Sequence, residues 1–262
     1  MTNGRKSKRL RAENSARPRP GAVKALEAKR RRTRLLAGFG AAATVAGVGV
    51  GTVAAIGGSS AVATGPRPIL DLGPLSALGA LLPPPAQGAL GPEAISIPSV
   101  PLLAGIATDA AGAPVDGVSC DSSEQVVYHI HVHLTVFVGG VQRQVPSGIG
   151  VADPLARSTP QGPFVVSGSC FYWLHTHAAD GIIHVESPSQ RTYTLGQFFD
   201  IWGQTLSATQ VGPVTGTVTA FYNGRHYRAD PRNIPLTPHA NVQLDVGTPL
   251  VGPVTVPSWG QL

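Results

Sequence analysis

From residue 128 the chain alternates histidines with aliphatic side chains, in the run Tyr128-His129-Ile130-His131-Val132-His133-Leu134. Successive side chains of a strand point to opposite faces. As a strand, the run therefore sets His129, His131 and His133 on one face and Ile130, Val132 and Leu134 on the other, whereas a helix would scatter the histidines. The alternation runs on to Val138, where Gly139-Gly140 offers a two-residue hairpin turn into a second strand over 141–145. Strand patterns recur at 171–177, 182–186 and 214–222, then after an Asn223-Gly224 turn at 225–228, and finally at 241–246. Thr194 followed three positions on by Gln197 has the form of a capping box, which predicts one helix over 195–202. The pattern predicts a mainly β fold, a compact β-sandwich or barrel-like domain with one short α-helix, over residues 115–262.

Upstream the pattern changes twice. Residues 35–57 carry no charge over 23 positions, long enough to cross a hydrocarbon core of roughly 30 Å as a helix. Arg30, Arg31, Arg32 and Arg34 precede it, so the positive-inside rule keeps residues 1–34 cytoplasmic and exports the rest. Read this way, the chain is tied to the membrane by one N-terminal helix. The alternative is a secretory signal cleaved near Ala63, at Ala61-Val62-Ala63; it exports the same domain. Residues 58–114 hold ten prolines and no aromatic side chain. They read as a disordered Pro/Ala/Gly spacer with a reach on the order of 100 Å, in which 78–82 and 95–106 are apolar enough to form short docking elements.

Charge sharpens this division. Thirteen of the twenty lysines and arginines fall in residues 1–34, and from residue 35 onward seven arginines face twelve acids, a net of −5 with histidine neutral. The basic pI thus belongs to the tail, and nucleic acid is not an expected partner, because no positive footprint is spread over a folded surface. The sequence names no protein partner.

The two cysteines, Cys120 and Cys170, both lie in the exported part, where an even count favours a disulfide over thiolate metal ligands. Such a bond would draw the lead-in to the triple-histidine strand towards the lead-in to His175-Thr176-His177.

Eight histidines occur in a domain without lysine or methionine. Neutral imidazole is the commonest protein metal ligand, and histidines two apart on a strand aim their rings the same way. Two such strands, bearing His129, His131 and His133 and then His175 and His177, can converge on one ion, with His184 and Glu186 adding a nitrogen and a carboxylate. His226 and His239 read as solvent-exposed. Zinc or copper(II) leads as the metal, since copper(I) favours Met and free Cys. The donors outnumber the four of a closed site, which leaves two ions or supporting histidines as alternatives. Asp180, Glu186 and Asp200 are candidate bases should a metal-bound water be activated. No HExxH helix, Gly-x-Ser-x-Gly or nucleotide loop is present.

The motif order 115-Val-Asp-Gly-Val-Ser-Cys-120, 128-Tyr-His-Ile-His-Val-His-Leu-134, 145-Val-Pro-Ser-Gly-Ile-Gly-150, 172-Tyr-Trp-Leu-His-Thr-His-177, 181-Gly-Ile-Ile-His-Val-Glu-Ser-Pro-188 and 193-Tyr-Thr-Leu-Gly-Gln-Phe-Phe-Asp-Ile-Trp-Gly-203 resembles a family of exported or membrane-anchored, histidine-rich proteins of bacteria, notably actinobacteria, and archaea. The resemblance spans roughly residues 115–248 and implies no function. The expectation is metal binding or handling at the cell envelope, with a metal-dependent hydrolytic or oxidative enzyme as one alternative and a metal-free structural or partner-binding domain as another.

Overall fold

The computed structural model describes residues 70–106 and 111–262. The basic tail, the apolar span 35–57, the Ala61-Val62-Ala63 site and the first part of the spacer, 58–69, lie outside the described residues. Among the described residues no helix is long and apolar enough to cross a membrane.

The described chain is mainly β, with one α-helix and several sheets. Its main sheet contains eight strands: β1 (Leu72–Gly73), β2 (Tyr128–Val138), β3 (Val141–Arg143), β4 (Leu174–His175), β5 (Ile182–Ser187), β6 (Val218–Tyr222), β7 (Arg225–Tyr227) and β8 (Ala240–Val246). Seven of them lie in the order β1-β7-β6-β8-β2-β5-β4, and β3 pairs with β2 off this path. This sheet is open, with β1 and β4 at its two ends, so the barrel-like reading is corrected: no sheet closes among the described residues.

β2 spans 11 residues and so has room for two partners along one edge: β5 pairs with its first half and β3, across the Gly139-Gly140 turn, with its end. Its other edge pairs in parallel with β8. The Asn223-Gly224 turn likewise joins β6 to β7.

One face of this sheet forms the core. Val132, Leu134 and Val136 of β2, Ile183 and Val185 of β5, and Val242, Leu244 and Val246 of β8 pack with Phe198, Phe199 and Trp202. The last three belong to helix α1 (Leu195–Ile201) and its C-cap, and the capping box that starts the helix is formed. Each aromatic side chain so buried contributes about 1.5–3 kcal/mol.

The spacer reading does not describe residues 70–106. β1 pairs with β7, Leu82 bridges to Val251 and Leu102 to Gln144, and Ile95 and Leu103 are buried. Prolines set extended backbone here, but the apolar anchors and free edge groups decide where it lies. The docking expected of 95–106 is present, and the estimate of reach falls away for this stretch.

The strand expected over 171–177 is split. Cys170–Tyr172 joins a three-stranded sheet with Cys120–Asp121 and Val151–Ala152, while β4 joins the main sheet. Trp173, between them, donates its indole N–H to Asp121 Oδ2 at 2.8 Å. The expected disulfide is formed, Cys120 to Cys170, with Cα atoms 5.4 Å apart. A hairpin of Leu155–Thr159 and Gly162–Ser167 was not signalled by the sequence pattern.

Candidate metal centre

Register fixes the site. β5 runs antiparallel to β2 so that His184 lies opposite His131 and Glu186 opposite His129, and on its other side β5 places His184 opposite His175. His131, His184 and His175 therefore form a row across three neighbouring strands, on the face away from the aliphatic core. That face is buried too: the side chains of His131, His175, His177, His184 and Glu186 are all largely removed from solvent, and only His129 is substantially exposed, at 38%.

His175 and His177 share a side because Thr176 turns the other way. Its hydroxyl donates to Pro146 O and accepts from Ile149 N, and its backbone bonds Gly148 and Ile149. The Pro146-Ser147-Gly148-Ile149-Gly150 turn thus grips the His-Thr-His segment from behind. Gly150 is required here: it has φ +69°, and a Cβ on it would meet Leu174 O at 2.2 Å.

The hydrogen bonds fix tautomers. His175 Nδ1–H donates to Tyr172 O at 2.8 Å and His177 Nδ1–H to Val165 O at 2.6 Å, since a carbonyl can only accept. Each neutral ring then carries its lone pair on Nε2, and these two nitrogens face each other at 3.1 Å. Two lone pairs so placed repel unless a proton or a cation lies between them. Burial, and then the neighbouring His184, hold both rings below the ordinary histidine pKa, so protons are scarce at neutral pH. Two nitrogens on a tetrahedral ion, each about 2.0–2.1 Å from it, stand about 3.3 Å apart. The observed spacing is close to this value.

A second pair resembles the first. His129 Nε2 and His131 Nε2 lie 3.0 Å apart, and His129 Nε2 also lies 3.0 Å from Glu186 Oε1. Burial and then His184 push His131 down to about 3.

His133 departs from expectation. Its Nε2–H donates to Asp180 O at 3.0 Å, and its Nδ1 accepts from the Thr135 hydroxyl at 3.4 Å. Both nitrogens meet protein partners, and His133 lies outside the two groups of donors that surround His184.

His184 sits at the centre. Its Nδ1 lies 3.3 Å from Glu186 Oε1 and its Nε2 2.6 Å from Glu93 Oε1. Burial lowers its pKa, but the hydrogen bonds and charges of Glu186 and Glu93 outweigh that and raise it to about 9. Burial opposes ionisation of Glu186 as well, and His184 holds it below the carboxylate range nevertheless. Glu93 comes from the presumed spacer. A tight loop, with Gly91 N–H donating to Ile95 O at 2.7 Å and Ala94 N–H to Gly91 O at 3.0 Å, turns its side chain inward to 5% exposure.

The ligand atoms group in two sets, each mutually within 4.8 Å: His175, His177, His184 and Glu186, and His129, His131 and His184. Three of the buried oxygens without a hydrogen-bond partner, Glu93 Oε2, Glu186 Oε2 and Asp180 Oδ2, belong to this region. A buried carboxylate oxygen left unpaired costs free energy, and a cation would relieve it.

The remaining candidates divide. Burial, then Glu93, push Asp180 up to about 8. Asp200 instead forms a bidentate pair with Arg232, at 3.0 and 2.6 Å, on the helix. His239 is exposed, as expected, and stacks on Trp259; His226 is half-buried, with Nδ1 enclosed. Glu93 and Glu124, whose Oε1 lies 3.4 Å from His177 Nε2, had no signal in sequence beyond being acids. Comparison of the chain with family models, with curated proteins and with solved structures returned no match.

Proposed function

We propose that this is an exported domain, anchored to the cell membrane through residues 35–57 with its N-terminus cytoplasmic, that binds a transition metal ion and handles it at the envelope. The ion is zinc or copper(II), held by His175, His177, His184 and Glu186. One observation carries the reading: the Nε2 lone pairs of His175 and His177 converge at 3.1 Å while backbone carbonyls lock both Nδ1 atoms. A carbonyl behind the ring is the usual way to orient a histidine ligand, and borderline nitrogen donors with a carboxylate suit zinc and copper(II). The anchor rests on the uncharged run and the arginines before it, the exported compartment on that polarity and on the disulfide. The motif resemblance to exported histidine-rich proteins agrees with this placement.

The test is elemental analysis of the purified chain after stripping with a chelator and reloading. At least one ion per chain is expected, and loss of that ion in His177→Ala. Less than about 0.1 ion per chain would sink the reading.

A second reading, a metal-dependent hydrolase, is favoured by one feature. A cavity of about 320 Å³ is lined by Asp180, His133, Gln142 and Arg143, together with residues 94–96 and 98–100. A small molecule there would lie beside a buried carboxyl that holds its proton at neutral pH. Hydrolysis of a panel of esters and amides that depends on both the metal and Asp180 would favour the enzyme over the binder.

A further inference from the structure

We propose that the histidine face holds two ions, with His184 between them giving one ring nitrogen to each. This inference rests on the metal-binding reading above and extends it.

The row His131, His184, His175 carries the argument. His129 and His131 do not belong to the donor group formed by His175, His177, His184 and Glu186. A single ion at the His175 side therefore leaves His131 and its partner unused.

The unused pair is itself arranged as a chelate. His129 Nε2 and His131 Nε2 converge at 3.0 Å, nearly the spacing of the His175 and His177 pair on the other flank, at 3.1 Å. Each flank has its own two nitrogens, and the two sets have only His184 in common. The His131 and His177 rings each meet the His184 ring edge-on, with centroids 4.5 Å apart.

His184 is equipped to serve both. Its two ring nitrogens point to different carboxylates, Nδ1 to Glu186 and Nε2 to Glu93, and Glu93 Oε2 and Glu186 Oε2 are both buried without a partner. Charge also balances better this way. Two divalent ions facing two carboxylates and one imidazolate leave +1, whereas without the imidazolate the buried charge is +2. Loading is not a redox step: the His184 imidazolium gives up two protons to solvent, one from each nitrogen, and two metal–nitrogen bonds form in their place.

The experiment loads the chelator-stripped full chain with zinc chloride or copper(II) chloride, removes the excess, and measures ions per chain and copper spin count. Two ions per chain are expected in the unaltered protein, with copper spin intensity at liquid-helium temperature well below that of two isolated ions, since an imidazolate couples them antiferromagnetically. His129→Ala removes a side chain exposed enough to be lost without unfolding; it should bind one ion, with full spin intensity. One ion per chain at saturation in the unaltered protein would overturn the pair, whichever variant then loses it, and would leave the metal-binding reading standing. Two ions with undiminished spin intensity would overturn the sharing of His184. Binding of neither metal would overturn both readings.

Discussion

Glu93 Oε1 lies 2.6 Å from His184 Nε2, and the two residues are 91 positions apart in the chain. The contact joins a Pro-rich segment outside the expected domain to the middle of its histidine cluster, and it places a second carboxylate on a ring that Glu186 already holds. Glu93→Gln keeps the shape and removes the charge. One negative charge fewer beside the bound cation should lower zinc affinity by about tenfold, the scale of groups surrounding metal ligands, read by competition with a chromophoric chelator. Unchanged affinity would take Glu93 out of the site.

Metal uptake should release protons. Because Glu186 and Glu93 raise His184 to about 9, its ring is charged at pH 7 and must lose a proton before it can bind an ion. Apparent affinity for the first ion should therefore rise about tenfold per pH unit from 7 towards 9 and level off above. Calorimetry in buffers of different ionisation enthalpy reads the proton count directly; zero protons released at pH 7 would contradict the role given to His184.

The metal-free domain should be most stable near pH 6.5. His131 and His133 are pushed down to about 3 and 4, His133 chiefly by burial, and His175 and His177 are also lowered. Below their ordinary value of 6.5 the unfolded chain takes up protons the folded one refuses, so stability is lost as pH falls. Asp180 and Asp245, raised to about 8 and about 6 by burial, act in the opposite sense. With His226, also lowered, five groups face two, so the unfolded chain takes up more protons than the folded one on the acid limb. Above 6.5 the sign reverses, since His184 and Asp180 hold protons in the folded state that the unfolded chain has released. Denaturant titrations in chelator at pH 5, 6.5 and 8.5 should give the middle value as the highest; a steady rise to pH 8.5 would refute the assignment.

The legible part of this molecule was what alternation and short-range chemistry encode. The HxHxH strand, the turns at Gly139-Gly140 and Asn223-Gly224, the Thr194 and Gln197 capping box and the cysteine pair all formed as the residues suggested. What stayed hidden depends on partners brought from elsewhere. His133 shares a face with His131 and is indistinguishable from it in sequence; only the structure shows its Nε2 turned to the Asp180 carbonyl, outside the donor groups. Glu93 sits among prolines, where composition argues for a solvated spacer, and only the burial of Ile95 and Leu103 against the domain reveals that the loop is held. The break of 171–177 into two sheets falls at Trp173, whose indole reaches Asp121, and Thr176 beyond it bonds the 146–150 turn, contacts across 52 and 30 residues that no local pattern reports.

The disulfide should matter to the site as well as to the fold. Cys120 and Cys170 close a loop of 50 residues, for which chain entropy gives about 4 kcal/mol. That loop contains the whole of β2, and Cys170 leads directly into the segment that carries His175 and His177. Replacing both cysteines by serine should lower unfolding free energy by about 2–4 kcal/mol, measured with metal removed. Because folding and binding are linked, saturating zinc should restore part of that loss in the double variant. A variant as stable as the parent would show that the main sheet alone holds the two histidine pairs in place.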